Sequence, residues 1–460
     1  MEQLTFLQNI LVFVALNSAA LLTININNVG KKISFALSLL SSIIFFAMLF
    51  TRDTFTLSEM FLLDGNKVLL LKITALLNVL MILLNGFSSI KNVKSILLIN
   101  YMFLGAIFLL GATELITFYV ALETIALIGY AIVAMSGMKY SKEAAIKYLI
   151  QGSVISVIFL LGAAFYLGAT GSLSFSVIEV KNQELYAISM GIFILTAAFK
   201  LGAFPFHAWM ADVYSNVGLG NLATNFFVSK IIVGFKFIIL IQALLLECTD
   251  PRLQDVLIRI IQVLAVLSAF YGNIIALKQR EFKRIIAYSS LAHTGYMLMT
   301  ICLSPDDMFE KQLISYLVVY SLTATGVVLI LNQFAKLSKN GDGELILKSG
   351  FYHNKGLAIL LTVFILSLAG IPLTSGFSMK YMLFANYFRE GFTLEAISIL
   401  ISSIIGLAYY IKFISDLFHD GDEKSVKNIK TRLSECFVHT IILITVVSIG
   451  FFPSIILEMR

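Results

Sequence analysis

Apolar runs about twenty residues long recur along the whole of this 460-residue chain. That is the length an α-helix needs to cross the hydrocarbon of a bilayer. Within hydrocarbon each backbone N–H and C=O must find its partner inside the protein, so runs of this kind fold as helices. Barrel strands are shorter and alternate in polarity, and these runs do not. The spans fall near 5–25, 33–50, 68–86, 94–111, 114–135, 145–168, 187–206, 221–246, 256–275, 284–303, 312–335, 356–388, 394–418 and 434–457. The composition agrees, with 59% hydrophobic residues against 13% charged. The predicted fold is an all-α polytopic membrane protein of about fourteen transmembrane helices. The first run lacks a basic stretch before it and reads as a membrane helix rather than a cleavable signal.

Loop charges orient the helices. Basic residues outside the spans concentrate in the odd-numbered loops, among them Lys139, Lys142 and Lys147, then Lys278, Arg280, Lys283 and Arg284. Cytoplasmic loops carry such an excess, which puts both termini on the outer side. The net charge of +6 suits loops facing anionic lipid and does not call for nucleic acid. Cys248, Cys302 and Cys436 form no CxxC or Cys/His spacing, which argues against a metal, an iron–sulfur cluster or a disulfide framework. No dinucleotide-binding or haem motif appears either. The chain is therefore expected to hold no cofactor, and its chemistry is the movement of charge.

The spans group into a three-helix segment over 1–90, five-helix blocks over 91–250 and 251–420, and a C-terminal helix over 421–460. The fourth span of each block holds a proline and a lysine. Lys200 precedes Pro205, and Lys380 follows Pro372 in a Gly370-Ile371-Pro372 break. Proline removes a backbone donor and breaks a helix, so both spans are predicted to be discontinuous. A block with an odd number of spans inserts its copy upside down. Inverted repeats with broken helices place ion sites near the middle of the membrane in transporters.

Glu123 in span 5, Lys200 in span 7, Lys230 in span 8 and Lys380 in span 12 lie in mid-span, where an ionisable group is costly and marks function by default. Loss of water favours the neutral form of a lysine and a nearby carboxylate favours the charged one; a proton carrier needs that balance. Lys236 lies six residues past Lys230, about 240° round an ideal helix, and reads equally as path or as subunit contact. Lys72 and Lys412, near span ends, read as snorkelling. His207, after Pro205, reads as a proton relay or a cap of the broken helix. His293, in IIAYSSLAHTGYML beside Ser289, Ser290 and Tyr296, reads as a relay or a satisfied buried histidine. His353, His419 and His439 read as loop or interface residues.

Several stretches together resemble the antiporter-like membrane subunits of proton-translocating NADH-quinone oxidoreductase (respiratory complex I), subunit N among them. They are ELITFYVALE over 114–123, AAIKYLIQGSVISVIFLLGAAFYLGATGS over 144–172, AFKLGAFPFHAWMADVY over 198–214, KQREFKRIIAYSSLAHTGYML over 278–298 and LAGIPLTSGFSMKYMLF over 368–384. The resemblance implies a proton path through Glu123, Lys200, Lys230, His293 and Lys380, with His207 and Lys147 at secondary positions. It also implies sibling membrane subunits as partners, a bacterial inner membrane rather than a mitochondrial one, and NADH, FMN, iron–sulfur clusters and quinone held by other subunits. One stretch departs from the pattern: residues 215–223 read SNVGLGNLA, where the family carries prolines, so this loop is expected to be more flexible or differently shaped. Two other readings fit the same residues, a subunit of a multi-subunit cation/proton antiporter and a structural membrane scaffold.

Overall fold

Each apolar run that the sequence marks becomes a helix, and the breaks fall where backbone chemistry demands them. The structure, a computed structural model, describes residues 2–24, 28–51, 53–88, 93–176, 179–303, 307–335, 350–419 and 433–451. Its helices are α1 (Glu2–Thr23), α2 (Asn28–Met48), α3 (Gly65–Ser88), α4 (Val93–Gly111), α5 (Leu115–Ala134), α6 (Ser141–Thr170), α7 (Gln183–Leu201), α8 (Ala208–Ser215) and α9 (Leu219–Asn225). A π-helix (Phe226–Val233) leads into α10 (Gly234–Leu246), then α11 (Pro251–Lys278), α12 (Phe282–Met299) with a 3₁₀ turn (Thr300–Cys302), and α13 (Asp307–Ala335). The chain continues through α14 (Gly350–His353), α15 (Lys355–Ala369), α16 (Ser375–Arg389), α17 (Thr393–Leu417) and α18 (Leu433–Phe451). Residues 421–432 and 452–460 of the expected C-terminal segment lie outside the described residues.

Among the described residues, eleven helices are long and apolar enough to cross a membrane, and Lys355–Ala369 and His439–Phe451 are shorter apolar helices. The expected eighth span is not one plain helix but α9, the π-helix and α10 in succession. No proline marks the change of pitch, although Gly234 follows the π-helix directly. The expected twelfth span divides into α15 and α16 around Gly370–Thr374. Gly370 closes α15 in the left-handed region at φ +78°, and Leu373 also sits at φ +74°. A leucine there carries strain of about 1–3 kcal/mol, the kind of cost that gathers at functional breaks. One element lies outside an all-helical reading: β1 (Thr54–Ser58) and β2 (Phe61–Asp64) pair as an antiparallel hairpin. Aromatic and β-branched residues at alternate positions suit such a ribbon.

The chain forms two compact units, one of Met1–Lys200 with Phe227–Leu257, the other of Leu201–Phe226 with Ile258–Met459. In the first, α4 packs on α5 and α5 on α6. Its helices α1 to α4 are clasped by buried amides. Asn100 Nδ2 donates to Asn17 Oδ1 (2.7 Å), Asn78 Nδ2 donates to Asn100 Oδ1 (3.0 Å), and Asn17 Nδ2 donates to Ser41 Oγ (3.0 Å). In hydrocarbon, where helices gain nothing from hiding apolar surface, hydrogen bonds of this kind and close contact hold helices together.

In the second unit α13 is the axis. Its apolar window is wholly buried, and α9, α15, α16 and α18 pack on it. A helix apolar on every side belongs in such a place. Close approach at the α15–α16 break depends on Gly376, where a Cβ would stand 1.8 Å from the Ser367 carbonyl oxygen.

Candidate functional site

In the first unit α7 carries Lys200 in its last turn and ends at Leu201, followed by Gly202 at φ +71°. A cation in the last turn faces the negative end of the helix dipole. Its Nζ donates to Glu123 Oε1 of α5 at 2.9 Å and to Ser156 Oγ of α6 at 3.4 Å. Ser156 also bonds Glu123 Oε1 directly. The two charged side chains are 10% and 19% exposed, so the ion pair is largely withdrawn from water. α5 and α6 approach closely beside it, because Gly152 leaves room for the Tyr130 hydroxyl, which a Cβ at that position would meet at 1.9 Å.

Lys230 lies in the π-helix and is 3% exposed. A π-helix turns less per residue than an α-helix and recurs at functional sites, so the angle between Lys230 and Lys236 is not the one that an α-helix gives. Lys236, on α10, donates to the carbonyls of Leu110 (3.1 Å) and Ala112 (2.5 Å) and sits 5.3 Å from the centre of the Phe175 ring. It therefore holds the last carbonyls of α4, groups that a helix end leaves unsatisfied. Lys147 stays at the periphery, paired at 2.9 Å with Glu143 one turn away and half exposed. Lys72 stands 3.7 Å from Asp53 and Lys412 is exposed.

In the second unit the chain restarts at α8 after a cis Phe204–Pro205 bond. His207 occupies the N-cap position of α8 but its side chain makes no capping bond. Its ring lies against Phe204, Tyr271 and Tyr288, with a buried Nδ1 that has no hydrogen-bond partner. The proline-free stretch that follows is a short turn between α8 and α9. Lys283 Nζ donates to the carbonyls of Ser215 (3.3 Å) and Val217 (2.9 Å), which fixes the turn. His293 on α12 is buried, bonds Tyr316 Oη through Nδ1 at 2.9 Å and stacks on Tyr320 at 4.4 Å.

Lys380, on α16, reaches back across the break and donates to the carbonyls of Leu368 and Ala369, each at 3.0 Å, and to Ser403 Oγ at 3.2 Å. Its ammonium also lies 5.5 Å from the centre of the Tyr296 ring. It thus sits on the carbonyl end of α15, the negative pole of that half-helix. His293 and Lys380 line one cavity of about 10 Å³ with Tyr316, Tyr320, Thr323 and Ser367. That is the room of a single water.

The structure thus brings Glu123 to Lys200 in one unit and His293 to Lys380 in the other. Sequence reasoning missed Ser156, Tyr316, Ser403 and Asn273. Asn273 Nδ2 donates to Ser402 Oγ (2.8 Å) and Tyr296 Oη (3.1 Å), and its Oδ1 accepts from Tyr409 Oη (3.0 Å). All four are polar residues inside apolar helices, but nothing local to them in the sequence names their distant partners. One histidine was misplaced: His439 is 1% exposed within α18, not a loop or interface residue, because the apolar run extends on both sides of it. His419 is exposed, as expected. No group of three or more possible metal ligands occurs among the described residues.

The sequence profile described as "NADH:quinone oxidoreductase/Mrp antiporter, TM" matches residues 112–406. The chain is 38% identical over 320 residues to NADH-quinone oxidoreductase subunit N of Bdellovibrio bacteriovorus, an alignment covering 67% of this chain and 65% of that one. It is 32% identical over 432 residues to NADH-quinone oxidoreductase subunit N 2 of Thermodesulfovibrio yellowstonii, covering 92% and 91%. Among solved structures it is similar to a chain of respiratory complex I from Thermus thermophilus with bound aureothin, with a TM-score of 0.81, 24% identity and 98% coverage of both chains. At that identity the likeness is one of fold.

Proposed function

This chain belongs to the NADH:quinone oxidoreductase/Mrp antiporter family of membrane subunits, and on that premise we propose that it moves protons as a membrane subunit of an NADH:quinone oxidoreductase. It works in a bacterial inner membrane beside other membrane subunits, and electrons travel elsewhere in the complex. The observation that carries this reading is the Glu123–Lys200 ion pair, 2.9 Å long and placed at a helix break. A buried pair with a helix end beside it has two electrostatic arrangements, closed and open, and a change of charge or hydration nearby selects between them. Opening the pair shifts the proton on Lys230, whose buried place in a π-helix makes its charge sensitive to any neighbouring field. Protons then pass by way of His293 to Lys380 and leave on the outer side. Lys236 reads as a clamp on α4; Lys380 has carbonyl partners too, but it also lines a cavity with His293.

The test is NADH-driven acidification in inverted membrane vesicles carrying Lys230→Ala, with NADH–ferricyanide activity as the assembly control. Loss of pumping and quinone reduction with ferricyanide activity kept supports the reading, and unchanged pumping overturns it. The family also includes antiporter subunits. Purification decides between the two: a redox complex brings flavin and iron–sulfur subunits with this chain, and an antiporter brings membrane proteins alone.

A further inference from the structure

Two small cavities within the second unit share a wall. The inner one is the cavity between His293 and Lys380. The outer one, about 20 Å³, is lined by Thr300, Gln312, Tyr316, Met379, Met382 and Leu383 among others. Only Tyr316 and Met379 line both. Of these two, Tyr316 alone carries an exchangeable proton, and its Oη already bonds His293 Nδ1 at 2.9 Å. The outer cavity lies toward the 3₁₀ turn Thr300–Cys302 and the first turns of α13, the end that the loop charges assign to the outer face. There Asn386 Nδ2 donates to Gln312 Oε1, joining α16 to α13 at half-buried positions. Most of the remaining outer wall is Met and Leu, with Phe309 and Thr300; the methionines are flexible side chains that can move aside.

We propose that Tyr316 is the outward gate of the proton path, taking a proton from His293 and releasing its own into the outer cavity toward Gln312 and Asn386. The proposal rests on the function argued above and adds the exit that function lacks. In the step, protonated His293 gives up its Nδ1 proton to Tyr316 Oη as the Tyr316 O–H proton passes to a water on the far side. The tyrosine ends neutral, the imidazole ends neutral, and one proton has moved outward. Lys380, filled by way of His293, stores the proton across the inner cavity, which has the size of one water, and returns it to the imidazole for this outward step. A tyrosine that merely satisfies a buried histidine needs no second cavity against it, and Tyr316 lines two.

The experiment uses whole complexes in inverted vesicles, whose lumen corresponds to the outer face, and compares Tyr316→Phe, Gln312→Leu, Gln312→Glu and Lys380→Ala. Tyr316→Phe removes one oxygen and keeps the ring. It should cut NADH-driven acidification by about ten-fold or more, the order lost with a proton-transfer group, while NADH–ferricyanide activity stays. Gln312→Leu should lower pumping too, and Gln312→Glu should keep most of it, because a polar wall still holds water. If Lys380→Ala stops pumping but Tyr316→Phe and Gln312→Leu leave it unchanged, the gate is refuted and the function stands. If none of the three alters pumping, both are refuted. Should Tyr316→Phe fail to assemble, the Leu and Glu variants at 312 decide alone, with equal pumping refuting the gate.

Discussion

Replacing Glu123 with Gln removes a charge and little volume, so the loss falls on Lys200. At 2.9 Å two unit charges attract by about 6 kcal/mol at an effective dielectric near 20. Part of that attraction offsets the loss of hydration, and breaking a buried pair from one side costs about 3–5 kcal/mol. Ser156, 3.4 Å away, is a neutral acceptor and replaces only a small part. Glu123→Gln should therefore weaken retention of this subunit in the solubilised complex, read as a lower urea midpoint on native gels. Lys200→Met alone should do the same, because it strands the carboxylate. The double variant Glu123→Gln/Lys200→Met should recover at least about 2 kcal/mol of the summed loss, since no lone charge remains. Pumping should stay lost in all three. If the single effects add to within about 0.5 kcal/mol in the double variant, the two groups do not act as a pair and the argument fails.

Gly376→Ala sets a methyl 1.8 Å from the Ser367 carbonyl oxygen, so α15 and α16 must part. Overpacking of about 1–3 kcal/mol is expected, with lost pumping even in complexes that assemble; unchanged pumping would show that the break tolerates widening. Asn100→Leu removes the amide that joins Asn17 and Asn78. It should cost about 1–2 kcal/mol and lower subunit yield while leaving pumping per assembled complex intact. Lys236→Met exposes two buried carbonyls at about 1–3 kcal/mol each. Its quinone and ferricyanide activities should fall together, as for failed assembly, and a selective loss of pumping would instead make Lys236 a carrier.

Charges announced themselves in the sequence because hydrocarbon tolerates them only for a reason. Glu123, Lys200, Lys230 and Lys380 were legible at once, and the breaks at Pro205 and Gly370–Pro372 followed from backbone chemistry. The hydroxyls were not legible. Ser156 bonds the carbonyl of Gly152 one turn back at 2.9 Å, an arrangement any serine in a helix adopts, and nothing local says that α5 brings a carboxylate to it. Tyr316 hides in the same way on a helix whose apolar face runs all round. The π-helix at Lys230 has no proline to mark it, and Gly234 at its end reads in sequence like any glycine within a span. The hairpin at 54–64 is too short to compete with the spans around it. That Lys236 meets the carbonyls of Leu110 and Ala112 depends on where a helix far from it in sequence stops.

The position of Lys380 on the Leu368 and Ala369 carbonyls joins two things that are usually separate. Its ammonium is the bolt that holds α16 against the end of α15, and under the proposed function its charge is also the cargo. When the proton departs, the amine keeps fewer hydrogens to offer and the carbonyl end of α15 loses the cation that neutralised it. The joint then loosens at the moment it is emptied and tightens as it is refilled. Occupancy and stiffness become one variable, so a distant pull on the joint changes how firmly the proton is held, and a proton arriving there pulls back on whatever is attached.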